Sequence, residues 1–177
     1  MIAYKQASTP KELQQILALQ QKNLPKNLSK EEIQRDGFLT VEHTYDLLKE
    51  MNDICPHIIA LENNEVVGYA LCMHPTFAES IEILRSMFYE INEVVKNRNN
   101  YMVMGQICIA KTHRSKGIFR KLYTIMKTKL PAGFDTIITE VDAKNQRSMN
   151  AHRAVGFKEL KNYHSDGKDW SLIILRL

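Results

Sequence analysis

Three groups of residues carry side chains at spacings that could do chemistry. The first is the run Ile107-Cys108-Ile109-Ala110-Lys111-Thr112-His113-Arg114-Ser115-Lys116-Gly117-Ile118-Phe119, where an apolar stretch ends in a short basic turn that opens into a helical pattern. Amides in a first helical turn lack internal acceptors and sit at the positive end of the helix dipole. An anion such as a diphosphate placed there would satisfy them, and Gly117 would let it approach the main chain. Arg114 and Lys116 add positive charge. The second group is Asn145, Ser148 and His152, spaced i, i+3 and i+7 and so expected on one helical face; Asn145 suits a helix cap equally well. The third is the pair Cys55-Pro56-His57 and Cys72-Met73-His74. If Asn63-Asn64 is a two-residue turn, Cys55 falls opposite Cys72 and all four side chains share one face, a set that suits zinc. Free cysteine is commonly a small buried hydrophobe. That is the reading adopted, so no metal is expected.

The elements that must position these groups follow from periodicity. Residues 2–7 read as a short strand. Thr9-Pro10 and Ser29-Lys30-Glu31-Glu32 read as helix starts, and a third helix runs through Tyr45, Leu48 and Met51. Residues 57–61 and 66–73 form a hairpin about Asn63-Asn64. Helical spacing covers 77–95, a buried strand 102–110, a helix 119–130 and a strand 136–141. A helix over 146–155 stops at Gly156, and strands 160–164 and 170–177 close the chain. Strands alternating with helices, with hairpins at two places, predict a mixed α/β sheet in one domain spanning 1–177.

Composition bounds the rest. In 177 residues there are only seven Gly and five Pro, with 44% hydrophobic residues, which excludes a wholly disordered or collagen-like chain. No stretch approaches the ~18–20 consecutive apolar residues of a membrane span. The start Met1-Ile2-Ala3-Tyr4-Lys5-Gln6 lacks the pattern of a signal peptide, so a cytoplasmic protein is expected. Net charge is +4, too small to imply nucleic acid, but it is unevenly spread. Residues 111–129 hold seven Lys or Arg and no acid, whereas 54–95 hold six Glu against Arg85 alone. Such polarity suits an anion in one place and a cation beside it.

The residues also resemble a family. Arg114-Ser115-Lys116-Gly117-Ile118-Phe119 is similar to the Gln/Arg-x-x-Gly-x-Gly/Ala motif of the GNAT N-acetyltransferase superfamily, behind the expected strand. Asn145 through Gly156-Phe157 resembles that family's Asn-x-x-Ala/Ser-x-x-x-Tyr-x-x-x-Gly-Phe segment. The resemblance implies a single α/β domain whose mostly antiparallel sheet has two central, splayed parallel strands, 102–110 and 136–141, flanked by helices. It implies acetyl-CoA as donor, with pantetheine against the backbone of Ile107, Cys108 and Ile109. The pyrophosphate would rest on Arg114, Ser115, Lys116, Gly117, Ile118 and Phe119, with Asn145, Ser148 and His152 along the cofactor arm. A small-molecule primary amine would attack the thioester directly, without nucleic acid or membrane, and a homodimer is compatible with it. Two residues depart from the pattern. Phe119 replaces a small residue, and His152 stands where a Tyr usually protonates the leaving thiolate, which makes His152 the candidate general acid. Met104 and Gln106 occupy the strand where a basic Glu can occur, and Glu140 is the nearest strand carboxylate; no base is assigned. The alternative is a non-catalytic CoA- or partner-binding module on the same fold.

Overall fold

The computed structural model describes residues 1–79, 81–95 and 100–177. In chain order the elements are β1 (Ala3–Gln6), α1 (Pro10–Gln21), α2 (Lys30–Asp36), α3 (Tyr45–Ile54), β2 (Ile58–Glu62), β3 (Glu65–Met73) and α4 (Arg85–Val95). There follow β4 (Tyr101–Ile109), α5 (Ile118–Lys129), β5 (Thr136–Asp142), α6 (Gln146–Val155), β6 (Lys158–Ser165) and β7 (Lys168–Arg176). Local sequence sets the ends. Thr9 and Ser29 each accept a hydrogen bond from the amide three residues on, while Glu12 and Glu32 reach back to the cap, the reciprocal arrangement that starts α1 and α2. Asn63 and Asn64 take φ 51° and 63° in the β2–β3 turn, and Gly156 at φ 112° stops α6.

The seven strands form one sheet in the order β1-β2-β3-β4-β5-β7-β6. Every neighbour pair is antiparallel except β4 with β5. That parallel pair is short: Tyr101, Met102 and Val103 meet Thr136, Ile137 and Ile138, and the strands then run on without further pairing. Thr139 Oγ1 donates to the Met104 carbonyl at 2.8 Å, closing the fork where they part. The cause is visible in β4. Its pairing with β3 slips between Leu71↔Gln106 and Cys72↔Met104, so Gly105 is an extra, bulged residue. A bulge bends and overtwists the strand that carries it, and here it swings the end of β4 away from β5.

Two cores hold this geometry. On one face Ile16, Leu48, Met51, Tyr69, Val103 and Ile138 pack beneath α1, α3 and α4. On the other, Ile58, Met102, Leu122, Tyr123, Ile137 and Phe157 pack beneath α5 and α6. Each large aliphatic side chain so buried contributes about 1.5–3 kcal/mol to stability.

Two expectations are corrected. Helical spacing over 77–95 resolves into 3-10 turns at Pro75–Glu79 and Glu82–Leu84 followed by α4; Ser80 lies outside the described residues. Periodicity alone does not distinguish consecutive tight turns from one helix. The four-residue Cys/His hairpin face also fails, although Cys55 and Cys72 do lie side by side in one core. The β2–β3 register slips between Ala60 and Leu61, and Cys55 caps the end of α3 rather than extending β2. His57, fully buried, lies 3.1 Å from the Leu48 carbonyl through Nε2 and accepts the Cys72 amide through Nδ1 at 3.1 Å, while His74 bonds Thr76 at the surface. Among the described residues no group of three or more His, Cys, Asp or Glu could hold a metal.

Candidate active site

After Ile109 the chain makes a 3-10 turn (Lys111–His113), then takes left-handed backbone at Ser115 (φ 62°) and Gly117 (φ 76°) before α5 begins at Ile118. No side chain caps α5. Among the described residues, no protein acceptor meets the amides of 115–120. A Cβ placed on Gly117 would have nothing within 4 Å. Of residues 115–120, Ser115, Gly117, Ile118 and Phe119 border a cavity of about 320 Å³ whose lining also includes Ile107, Ile109 and Asn145. Phe119 does not obstruct it from below: its ring packs edge-on against His152 and Tyr123, at 5.0 and 5.3 Å.

The backbone of β4 supplies the cavity's inner wall. The Ala110 amide donates to the Val67 carbonyl at 2.9 Å. In an antiparallel ladder hydrogen-bonded pairs alternate, so the main-chain groups of Cys108 and Gln106 face β3, and those of Ile107 and Ile109 face the fork. Cys108 borders the cavity, but its main chain is committed to β3, and burial raises its thiol to about 12.

The expected residues divide further. Asn145 caps α6, its Oδ1 accepting the Ser148 amide at 3.1 Å. It and Ser148 both border the cavity, whereas Lys116 is exposed outside it. Arg114 is committed within the protein: Nε donates to the Ile109 carbonyl at 3.3 Å, Nη2 to Asn23 Oδ1 at 2.8 Å, and Nη1 lies 3.1 Å from Asp36. The outer wall comes from residues that sequence patterns did not single out: Asn23, Asp36, Gly37, Phe38 and Arg147. Gly37 is required there, since a Cβ would stand 2.9 Å from Asn145 Oδ1. The Asp-Gly pair at the end of α2 was the one local hint.

Deeper in the fork lies a cavity of about 80 Å³ bordered by Gly105, Gln106, Glu140, Ser148, His152 and Trp170. His152 is 1% exposed and engaged at both nitrogens. Nδ1 lies 2.8 Å from the Ser148 carbonyl, which only accepts, so Nδ1 carries the proton and Nε2 accepts from the Tyr123 hydroxyl at 2.8 Å. Burial, partly offset by the bond to Ser148, lowers its pKa to about 4. At neutral pH it is an uncharged imidazole with its one proton already placed, which argues against the expected role as proton donor. Glu140 differs. It is half-buried, desolvation raises it to about 7 against the Tyr163 hydroxyl bond that stabilises its anion, and its Oε2 accepts from Tyr163. A carboxylate that titrates near neutrality beside a cleft suits proton abstraction.

Comparison with known proteins agrees with this architecture. No curated protein matches the chain by sequence. Among solved structures, a NatC complex bound to Gag peptide and CoA is similar in fold, with TM-score 0.68, 20% identity, and coverage of 99% of this chain and 98% of that one. The ribosomal-protein-S18-alanine N-acetyltransferase from Escherichia coli gives TM-score 0.65 at 12% identity over 99% and 94%. A putative acetyltransferase from Salmonella typhimurium with acetyl-CoA gives 0.66 at 15% over 99% and 94%. At these identities the likeness shows the fold. The sequence model of the acetyltransferase (GNAT) family matches residues 14–157, from α1 to the aromatic residue that follows α6. The chain belongs to the GNAT acetyltransferase family.

Proposed function

We propose that this protein is an N-acetyltransferase that takes acetyl-CoA as donor and passes its acetyl group to a primary amine by direct attack. The observation that carries the reading is the set of unpartnered amides at Ser115, Gly117, Ile118 and Phe119, bordering a cavity that leads along the cleft-facing backbone of Ile107 and Ile109 to the fork. The diphosphate rests on the amides of Ser115, Gly117, Ile118 and Phe119, pantetheine lies along β4, and Asn145 and Ser148 flank the arm. The thioester carbonyl reaches the small cavity, where a main-chain N–H of β4 polarises it. Glu140 takes a proton from the attacking ammonium. The N–C bond forms, the C–S bond breaks, and the departing thiolate takes the second amine proton through solvent.

Two carboxylates, Glu140 and Asp142, border the small cavity, and this favours a cationic acceptor. The peptide bound in the NatC complex and the ribosomal-protein alanine in the name of the Escherichia coli enzyme, both structurally similar, suggest peptide N-termini for the same test as small polyamines. Release of free thiol from acetyl-CoA, followed against a panel of peptides with free N-termini, polyamines and neutral amines, is expected to show turnover with cationic primary amines. Saturable CoA binding with no thiol release across the panel would favour the non-catalytic module, a reading to which the engaged His152 lends some weight.

A further inference from the structure

The seven-residue helix α2 runs between Lys111, after β4, and Arg147 of α6, with its last residue Asp36 on the rim of the proposed donor cavity, yet none of its residues is buried. So short a helix is marginal in water on its own, so something outside it must hold it in place. What holds it is charge. Lys111 pairs with Glu32, and the Asp36 carboxylate, whose side chain is 10% exposed, lies 3.1 Å from Arg114 and 3.7 Å from Arg147. Arg147 also donates to the Arg35 carbonyl at 3.1 Å. Arg114, Arg147 and Asp36 all border the cavity that Ser115, Gly117, Ile118 and Phe119 also line. Arg114 Nη1 is buried there without a well-aligned hydrogen bond. Asp36 also pairs with Arg35 of its own helix at 2.8 Å, so the carboxylate sits among three guanidiniums, and the two that lie outside α2, Arg114 and Arg147, stand where an anionic donor would put its phosphates.

Beyond Gly37 (φ 75°) the chain is anchored differently. Leu39 and Val41 enter the core, and Gln106 donates to the Val41 carbonyl at 2.8 Å. Gly37 thus separates a fixed segment from a helix attached mainly by ion pairs and one Arg147 hydrogen bond to the Arg35 carbonyl, and its backbone freedom suits a hinge.

We propose that Asp36 is a latch: its carboxylate stands in for the donor's diphosphate between Arg114 and Arg147, and the arriving diphosphate displaces it and frees α2 from the rim of the cavity. Asp36 so lowers donor affinity and couples donor binding to release of α2. This rests on the donor site assigned under Proposed function.

The test compares the wild-type chain with Asp36→Asn, which keeps shape and removes charge. CoA affinity by calorimetry should rise about threefold to tenfold in the variant, the scale of one or two partly exposed ion pairs. Hydrogen exchange over residues 30–36 should be faster in wild type saturated with CoA than in the free protein, and already fast in free Asp36→Asn. Glu32→Gln, which cuts only the Lys111 tie, should quicken exchange in α2 without raising CoA affinity as far. Equal or weaker CoA binding by Asp36→Asn, or slower exchange in α2 on CoA binding, would overturn the latch. If neither protein binds CoA, the donor-site reading fails instead. The latch is then judged by exchange in free Asp36→Asn, where rates equal to wild type would reject it.

Discussion

Gly117→Glu is expected to abolish donor binding, whereas Gly117→Ala should only weaken it. The residue sits at φ 76° with open space where a Cβ would go, so neither substitution clashes with a neighbour. Both carry the strain of a left-handed non-glycine residue, about 1–2 kcal/mol, which corresponds to a loss in affinity of roughly 5- to 30-fold for Ala if the turn relaxes. Glu adds an anion where the diphosphate should lie. Two like charges about 4 Å apart near a protein surface repel by ~4 kcal/mol, so the expected total loss exceeds ~100-fold. Calorimetric titration with CoA measures it, and melting curves should show both variants folded. Equal affinities for the two variants would place the diphosphate elsewhere.

Glu140→Gln should lower kcat by about 10²- to 10⁴-fold, the usual worth of a positioned general base, while leaving donor affinity unchanged. Gln keeps an oxygen for the Tyr163 hydroxyl, so the local bonding survives and the change isolates the carboxylate. The pH profile supplies the sign. Burial raises the Glu140 carboxyl to about 7, and the base acts only when ionised. In wild type the rate should therefore rise with pH through about 7 and level off above it. In the variant that limb should vanish. A rate within threefold of wild type, or an unchanged limb, would assign the proton to solvent.

Much of this architecture can be read from local pattern, and the failures have physical causes. The strands, the capped helices α1 and α2, the Asn63-Asn64 turn and the Gly156 stop are written in short-range chemistry, where a cap or a left-handed residue depends on its immediate neighbours. The turn from Arg114 to Phe119 belongs to the same class, since it is a strand end, one glycine and a helix start. Tertiary context decided the rest. Arg114 looked free for an anion, but Asn23 and Asp36, distant in sequence, claim it. Cys108 looked equivalent to Ile107 and Ile109 until strand pairing turned its main chain to β3. His152 looked like a proton donor until the Ser148 carbonyl and the Tyr123 hydroxyl fixed its tautomer. The slip between Ala60 and Leu61 undid a register counted outward from a correctly placed turn. Asp36 and Phe38 reach the cavity only because α2 folds back to its rim, and no periodicity announces that.

The most direct test of the donor site follows main-chain amide resonances of the ¹⁵N-labelled protein during titration with CoA and, separately, with pantetheine, which lacks the diphosphate. The account predicts saturable shifts of Ser115, Gly117, Ile118 and Phe119 with CoA, and little change at those amides with pantetheine. CoA that binds saturably while those four amides stay unmoved would contradict it.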